Sequence, residues 1–297
     1  MSHTRIVVLT TLSMVAFASN SVLARVALKQ TGIDAASFTA IRLVSGAIVL
    51  LLAACIVNRS GGGKGSWWSG TALFIYAAGF SFAYVSLPTA TGALLLFGVV
   101  QVTMIVYGLW VGERLLKLQL VGLLLAFGGL LLLFLPGLST TPPIPSSLLM
   151  MAAGICWGIY SLRGQGVSDP IGTSAGNFAR GAVLTVLLSP LILYRLDLDM
   201  AGIGYAIASG ALTSGLGYVI WYTAMPELKV TNAAIVQLSV PVIAAAGGIV
   251  FLGESITLRL ALASSAILGG IALVIIRKQP AQLAQQDTAA DAATRRG

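Results

Sequence analysis

Long apolar runs separated by short polar breaks dominate the chain. One of them, "LVGLLLAFGGLLLLFL" at positions 120–135, carries no charge at all. A helix needs about 20 apolar residues to cross roughly 30 Å of hydrocarbon. Within lipid only helices and closed barrels satisfy every backbone polar group, and these runs lack the alternation of barrel strands. The pattern therefore predicts an all-α membrane protein with several transmembrane helices.

The breaks between apolar runs divide the chain into ten predicted spans. Their ends are set by charged residues, prolines and glycines. An even number of spans puts both termini on the same side of the membrane. The polar tail at 279–297 is predicted to be disordered. The spans are 6–28, 36–57, 68–87, 90–112, 116–136, 147–163, 173–194, 201–225, 230–252 and 257–276.

Composition supports this interpretation, and the charges give the orientation. Hydrophobic residues make up 57% of the chain and charged ones 9%. The net charge of +8 follows from topology, and no soluble basic domain is present to bind nucleic acid. Lysine and arginine favour the cytoplasmic loops, which predicts that both termini are cytoplasmic. The terminal side has Arg5, Arg59, Lys64, Arg114, Lys117, Arg163, Lys229, Arg277 and Lys278, and the opposite side has Arg25, Lys29, Arg195 and Arg259.

The two halves of the chain resemble each other. A shift of 138 residues brings Arg42 onto Arg180, and after a three-residue insertion a shift of 141 brings Gly112-Glu113 onto Gly253-Glu254. Each half holds five spans, so the second must enter the membrane inverted. We predict repeats at 1–137 and 138–278, followed by the tail. Inverted repeats are typical of transporters whose substrate site lies near the midplane between the halves.

This doubled pattern resembles the drug/metabolite transporter superfamily, EamA type. The pattern is an arginine early in the second helix of each half, a Gly-Glu closing the fourth and a glycine pair in the fifth. The resemblance covers about residues 5–277 and implies ten helices in two inverted five-helix repeats around a central cavity. It also implies that helices one to four and six to nine line the cavity, and that helices five and ten support it. Arg42, Arg180, Glu113 and Glu254 match the family pattern.

The charged residues of the pattern have structural explanations. Glu113 and Glu254 lie where a span turns back, and each is predicted to cap the helix that follows, because free amides there favour an anion. Arg42 and Arg180 lie several residues into their spans, where a charge is costly. Two roles remain open for them: snorkelling to neighbouring helix ends, or contact with a substrate carboxylate. Pro241, inside the ninth span, predicts a kink.

Polar and aromatic residues deep inside spans are the cavity candidates. Phe80 and Tyr84 share a helix face, as do their repeat partners Tyr218 and Tyr222, so two aromatic stripes are expected to face each other. For Asn20, Gln101 and Gln237, hydrogen bonding between helices is the equal alternative. The predicted substrate-binding residues are Asn20, Phe80, Tyr84, Gln101, Trp157, Tyr160, Asn177, Tyr218, Tyr222 and Gln237.

The sequence lacks the signatures of several other chemistries. "GGGKGS" at 61–66 has glycine where a phosphate loop needs serine or threonine. Cys55 and Cys156 have no CxxC or histidine partners, so we expect neither a disulfide, a metal site nor a cofactor. No polar constellation indicates an enzyme. No acid lies at mid-span, which favours facilitated diffusion or exchange over proton antiport.

The sequence therefore predicts an exporter of small amphipathic metabolites, with amino acids, including aromatic ones, as the expected substrates. The alternatives are a multidrug or nucleotide-sugar carrier of the same fold and a helical membrane scaffold without transport activity. The partners expected are a small-molecule substrate and the lipid bilayer, and a monomer is compatible with the pattern. The short loops and the family resemblance predict a location in a bacterial inner membrane.

Overall fold

The computed structural model describes residues 1–58, 65–112, 116–134, 141–164, 167–192, 198–228 and 236–274. Ten apolar helices account for most of this part of the chain. The first five are α1 (His3–Gln30), α2 (Ala35–Asn58), α3 (Trp67–Tyr84), α4 (Thr89–Trp110) and α5 (Lys117–Leu132). The second five are α6 (Ile144–Arg163), α7 (Pro170–Ile192), α8 (Met200–Glu227), α9 (Ser239–Leu252) and α10 (Leu258–Val274).

The all-helical membrane architecture predicted from the apolar runs is confirmed. In the part of the chain that the structure describes, five helices, α1, α2, α4, α6 and α8, are long and apolar enough to cross a membrane. Large apolar side chains such as Leu124, Phe127 and Val250 are exposed on the outside of the bundle, as lipid contact requires. The predicted ends agree within a few residues, except that 230–235 of the ninth span, together with the tail, lie outside the described residues.

The bundle has two ends, and the halves run through it in opposite directions. At the N-terminus side, the amino group of Met1 lies 3.3 Å from the Glu227 carboxylate at the end of α8. At the linker side, α6 begins beside the end of α3, where the Ser86 and Ser146 hydroxyls are hydrogen-bonded. Helix α1 thus begins where α8 ends, and α6 begins at the opposite end.

Helices of the two halves alternate around the bundle. Helix α1 packs against α8 and α9, and the equivalent helix α6 packs against α3 and α4. Helix α2 packs against α7 and α8, and α7 packs against α2 and α3. Every one of these contacts has its counterpart when the halves are exchanged, as a pseudo-twofold arrangement requires. The interior therefore lies between the repeats.

Helix α8 is irregular at its centre. Nine residues, Ala208–Leu216, form a π-helix between the α-helical stretches Met200–Ile207 and Gly217–Ala224, and a 3₁₀ turn, Met225–Glu227, ends the span. Gly210 lies against the backbone of α2 at Arg42, where any side chain would clash. Such π segments often occur at functional sites. Thr213 and Ser214 of this segment are buried in the interior.

Pro241 lies in the first turn of α9. The helix begins at Ser239 after a turn at Leu238, so the proline removes an amide that has no partner within the helix. The Ser239 hydroxyl donates to the carbonyl oxygen of Val236 across that turn, 2.7 Å away. The irregularity predicted at Pro241 thus takes the form of an interruption just before it.

Helices α5 and α10 meet at the edge of the bundle through one glycine of each repeated pair. A Cβ atom at Gly270 would fall on the Gly122 carbonyl oxygen and on the backbone nitrogen of Ala126. A Cβ atom at Gly129 would meet the Ile267 and Ala266 side chains at 2.8 and 2.9 Å. The other members of the pairs, Gly128 and Gly269, have no atom within 4 Å of such a Cβ.

This contact predicts that neighbouring glycines respond oppositely to alanine. Gly270→Ala should lower the free energy of unfolding by about 1–3 kcal/mol, because two backbones must separate. Gly269→Ala, the matched control, faces open space and should be neutral or stabilising by up to about 1 kcal/mol, because alanine favours helix. Thermal unfolding of the purified variants measures both. Equal effects would contradict the close contact.

Candidate substrate site

A cavity of about 180 Å³ lies between the two halves. It extends toward the N-terminus side, where Gly164, Met225 and Gln237 lie at helix ends. Helices α1, α3, α4, α6 and α8 contribute its walls. Aromatic and apolar side chains form most of the surface: Phe17, Tyr76, Phe80, Leu96, Phe97, Val100, Met104, Trp157, Tyr160, Tyr218, Trp221, Tyr222 and Met225.

Trp157 is the centre of an aromatic cluster in this cavity. Its ring lies 4.7 Å from that of Tyr76, 5.3 Å from Tyr160 and 5.6 Å from Tyr218, measured between ring centroids. The Trp157 and Tyr160 planes are stacked at 19°, and Tyr218 meets Tyr222 edge to face. Rings from both repeats thus form one surface, which favours an apolar or aromatic group.

A buried arginine lies behind this surface. Arg42 is only 2% exposed, and its Nη2 donates to the Tyr76 hydroxyl at 2.9 Å. Its guanidinium carbon lies 4.7 Å from the Phe80 ring centroid and 5.2 Å from that of Tyr76. Its Nε and Nη1 have no hydrogen-bond partner among the described residues. The charge is therefore stabilised mainly by two aromatic faces and one hydroxyl.

The polar groups of the cavity come mostly from α1 and the irregular part of α8. Asn20 lines the cavity, and its Oδ1 accepts a hydrogen bond from the Ser209 hydroxyl. The Thr213 hydroxyl donates to the Ser209 carbonyl at 2.7 Å. Thr213 and Ser214 also face the cavity, as do Ser21, Ser161 and Gln237. These groups leave hydrogen-bonding positions beside the aromatic surface.

The cavity is closed on the linker side by a second buried arginine. Arg25 Nη1 donates to the carbonyl oxygens of Tyr84 and Val85, both at 2.8 Å, where α3 ends. Its Nε lies 3.7 Å from the Glu254 carboxylate. The same carboxylate accepts from the Thr89 amide at 2.8 and 3.0 Å and from the Thr89 hydroxyl at 3.2 Å. We call these residues, Arg25, Tyr84, Val85, Thr89 and Glu254, the linker-side latch.

Glu254 caps a helix of the other repeat. We expected it to cap α10, the helix that follows, and this was wrong: its carboxylate lies on the amide that begins α4. Gly253 explains the difference, because its left-handed backbone (φ +64°) reverses the chain after α9 and turns Glu254 back into the bundle. Helix α10 is capped instead by the Thr257 hydroxyl, which accepts from the Leu260 amide at 3.2 Å.

The predicted site residues divide into two groups. Asn20, Phe80, Trp157, Tyr160, Tyr218, Tyr222 and Gln237 line the cavity together. Tyr84 does not: it is fully buried beyond Phe80, with its hydroxyl 3.4 Å from the Thr89 carbonyl, so the two aromatic stripes do not face each other along their whole length. Gln101 is buried in α4 without lining the cavity, and Asn177 accepts from the Ser66 amide at the start of α3.

The remaining pattern residues lie apart from the cavity. Arg180 donates to the Gly176 carbonyl of its own helix at 2.9 Å and lies 5.6 Å from the Trp67 ring near the start of α3. Its geometry matches the snorkelling alternative, unlike that of its repeat partner Arg42. Glu113 lies outside the described residues.

Several cavity residues were not among our predictions. Phe17, Phe97 and Met104 are apolar residues in apolar helices, so no local signal distinguishes them from lipid-facing positions. Thr213 and Ser214 lie in "SGALTSGLG" (209–217), whose small residues indicate close helix packing but not a cavity. Arg25, the centre of the latch, entered the sequence analysis only as one of the charges on the side opposite the termini.

The latch predicts unequal roles for two ion-paired glutamates. Glu254→Gln removes a partly buried charge that serves both Arg25 and Thr89, so the free energy of unfolding should fall by about 1–3 kcal/mol. Glu227→Gln breaks the more exposed ion pair with the N-terminal amino group, and it should change the free energy of unfolding by less than about 1 kcal/mol. Thermal unfolding in detergent compares the two. A cost for Glu227→Gln equal to that for Glu254→Gln would contradict the latch.

Comparisons with known proteins agree with this architecture. Residues 144–276 match the EamA-like transporter family. The chain is 52% identical over 276 residues to an uncharacterized protein of Pseudomonas aeruginosa, covering 93% of this chain and 96% of that one. It is 25% identical over 179 residues to an uncharacterized transporter of Archaeoglobus fulgidus, covering 59% of this chain and 63% of the relative.

A solved structure supports the fold. One crystal structure superimposes with a TM-score of 0.64 at 21% identity, covering 90% of this chain and 97% of the other. An uncharacterized transporter of Bacillus subtilis, YyaM, is 28% identical over 141 residues, which is 44% of this chain and 46% of the relative. Together with the ten-helix bundle, these likenesses establish that the chain is an integral membrane protein of the EamA-like transporter family.

Proposed function

We propose that this transporter exports small amphipathic metabolites, with amino acids, including aromatic ones, as the principal substrates. The observation that carries the proposal is the aromatic cavity between the repeats with the Arg42 guanidinium behind it. Trp157, Tyr160 and Tyr218 offer flat apolar contact to a side chain. Asn20 and Gln237 offer hydrogen bonds to a polar head. A molecule with one apolar and one polar end matches both parts.

The size of the cavity favours small substrates over nucleotide sugars. Its volume of about 180 Å³ lies below the roughly 300–1,000 Å³ of pockets that enclose drug-sized ligands. A nucleotide sugar also carries phosphate charges that call for several basic contacts. Among the described lining residues none is basic, and Arg42 lies behind the aromatic surface. A compact zwitterion fits this space better.

Arg42 would set the preference for an anionic group. An arginine buried with two nitrogen atoms unpartnered produces a strong positive potential in a medium of low dielectric constant. That potential would attract the carboxylate of a substrate in the cavity. It would act through the Tyr76 hydroxyl, to which Arg42 donates a hydrogen bond, and past the Tyr76 ring. We assign this role to Arg42 and not to Arg180, whose charge lies near the Trp67 end of the bundle.

Transport would proceed by alternating access. We infer that the cavity opens toward the N-terminus side, and the excess of lysine and arginine there supports that side as the cytoplasmic face of a bacterial inner membrane. Release of the substrate would require the linker-side latch to open while the N-terminus side closes. Inverted repeats permit this, because the two halves can exchange conformations around a fixed site. None of the described lining residues is an acid, which supports facilitated diffusion or exchange.

The first test of this proposal is efflux of radiolabelled amino acids from proteoliposomes without a pH gradient. Saturable efflux is expected, and Trp157→Ala should reduce it at least about tenfold, because the central ring of the cluster is lost. Tyr107→Ala is the matched control: it removes an aromatic residue of α4 that is 42% exposed on the outer surface, and efflux should be retained.

Different results would point elsewhere. Absence of flux for every amino acid, combined with flux of apolar cations, would favour the multidrug alternative. Absence of any flux in protein that remains folded would favour a scaffold. Efflux that depends steeply on an imposed pH gradient would contradict facilitated diffusion and exchange.

The role of Arg42 predicts a change in selectivity. Native protein should transport a free amino acid at least about tenfold better than its carboxamide, and Arg42→Gln should remove most of this preference, because the attraction to the carboxylate is lost. The measurement is the ratio of the two kcat/KM values. Arg180→Gln, the change at the repeat partner, should preserve the ratio. If Arg42→Gln also preserves it, the proposed electrostatic role is wrong.

A further inference from the structure

A second cavity lies on the linker side, outside the aromatic cavity. Its volume is about 250 Å³, and it is formed by the start of α4, the ends of α5 and α9, the linker and the start of α10. Polar groups form a large part of its lining. They are Ser86, Thr91, Thr141, Glu254, Ser255, Thr257 and Arg259.

Arg259 is the distinctive feature of this linker-side cavity. It lines the cavity, yet its side chain is only 2% exposed. Its single hydrogen bond is a long one, from Nη1 to the Leu133 carbonyl oxygen at 3.4 Å. Its Nε and Nη2 have no partner in the described part of the chain. A buried guanidinium left with two unpartnered nitrogens is costly unless an anion joins it.

Glu254 does not supply that anion. Its carboxylate also lines the cavity, but both oxygens accept from the Thr89 amide, and Arg25 balances its charge. Of the three charged groups here, Arg25 and Glu254 therefore compensate each other, and the positive charge of Arg259 remains. Arg259 is the second residue of α10 and therefore lies in its first turn. The free amides of that turn add partial positive charge.

The repeat shows that Arg259 is not needed to build the fold. The shift of 141 residues places Leu118 at the equivalent position of α5. Leu118 is 38% exposed, as expected for an outward apolar residue. An uncompensated arginine in one copy and an ordinary leucine in the other indicate a function belonging to the second repeat alone.

We propose that the linker-side cavity binds an oxyanion, a phosphate or carboxylate group, through the Nε–Nη2 edge of Arg259. That edge presents two parallel donors, the geometry that suits bidentate binding of such groups. The Ser86, Thr141, Ser255 and Thr257 hydroxyls provide further contacts around it. The oxyanion would come from the phosphate of a lipid headgroup or from a free anion in solution. This inference is independent of the substrate proposed for the aromatic cavity.

The experiment measures thermal unfolding of the full-length protein in detergent with two probes. One arm titrates inorganic phosphate against chloride at equal ionic strength. The other adds short-chain phosphatidylglycerol, with phosphatidylcholine of the same chain length for comparison. A bound probe should raise the midpoint by about 3–6 °C near saturation. Arg259→Gln should abolish the rise, and Arg259→Lys should weaken apparent affinity about tenfold, because lysine lacks the planar fork.

Lys29→Gln is the matched control, because it removes an exposed positive charge from the same side of the protein. It should keep the full rise. A rise with phosphatidylglycerol alone assigns the site to lipid, and a rise with phosphate assigns it to a free anion. If neither probe raises the midpoint of the native protein, or if Arg259→Gln responds as the native protein does, the inference is wrong. Should Arg259→Gln fail to fold, the native and Arg259→Lys titrations decide.

Discussion

A buried charge must be compensated inside the bundle, and the linker-side latch is where this constraint fixes the architecture. Glu254 lies at the end of α9, Arg25 in α1 and Thr89 at the start of α4, so one carboxylate joins three helices from both repeats. Arg25 extends the network to the last carbonyls of α3. Each group in the latch satisfies another whose contact with solvent is reduced where these helices meet. The linker side closes because these groups meet.

The buried arginines differ in how far their positive charges are compensated, and this difference separates their roles. Arg25 has two carbonyls and a carboxylate, and it holds helices together. Arg42 and Arg259 each have two nitrogens without a partner among the described residues; Arg42 lies behind the wall of the aromatic cavity, and Arg259 lines the linker-side cavity. An unsatisfied buried charge is rare in folded proteins, so these two positions are where ligands are expected. One would attract a substrate from the N-terminus side, and the other would hold an oxyanion on the linker side.

The sequence was sufficient for the fold because hydropathy and repetition are strong signals. Ten apolar runs and the matches of Arg42 with Arg180 and Gly112 with Gly253 predicted the helices and their inverted arrangement. Most of the residues that we proposed for the site also line the cavity. They were chosen because a polar or aromatic residue deep in a span needs a partner. Tyr84 was misjudged because four-residue spacing fixes a helix face but not the depth at which a cavity ends. The target of Glu254 was misjudged because the left-handed Gly253 turns the Glu254 side chain toward Thr89, 165 positions earlier in the sequence. Contacts of that kind depend on tertiary packing, which local patterns do not encode.

In the transport cycle that we propose, the linker side is the gate that must open before substrate leaves. A Cβ atom at Gly247 would lie 3.8 Å from the Cβ of Val22, one turn before Arg25, and disulfides have a mean Cβ separation of about 3.8 Å. The most direct measurement is therefore efflux by Val22→Cys/Gly247→Cys protein in which Cys55 and Cys156 are replaced by serine. Oxidation should stop efflux and reduction should restore it. Unchanged efflux from fully cross-linked protein would contradict the account.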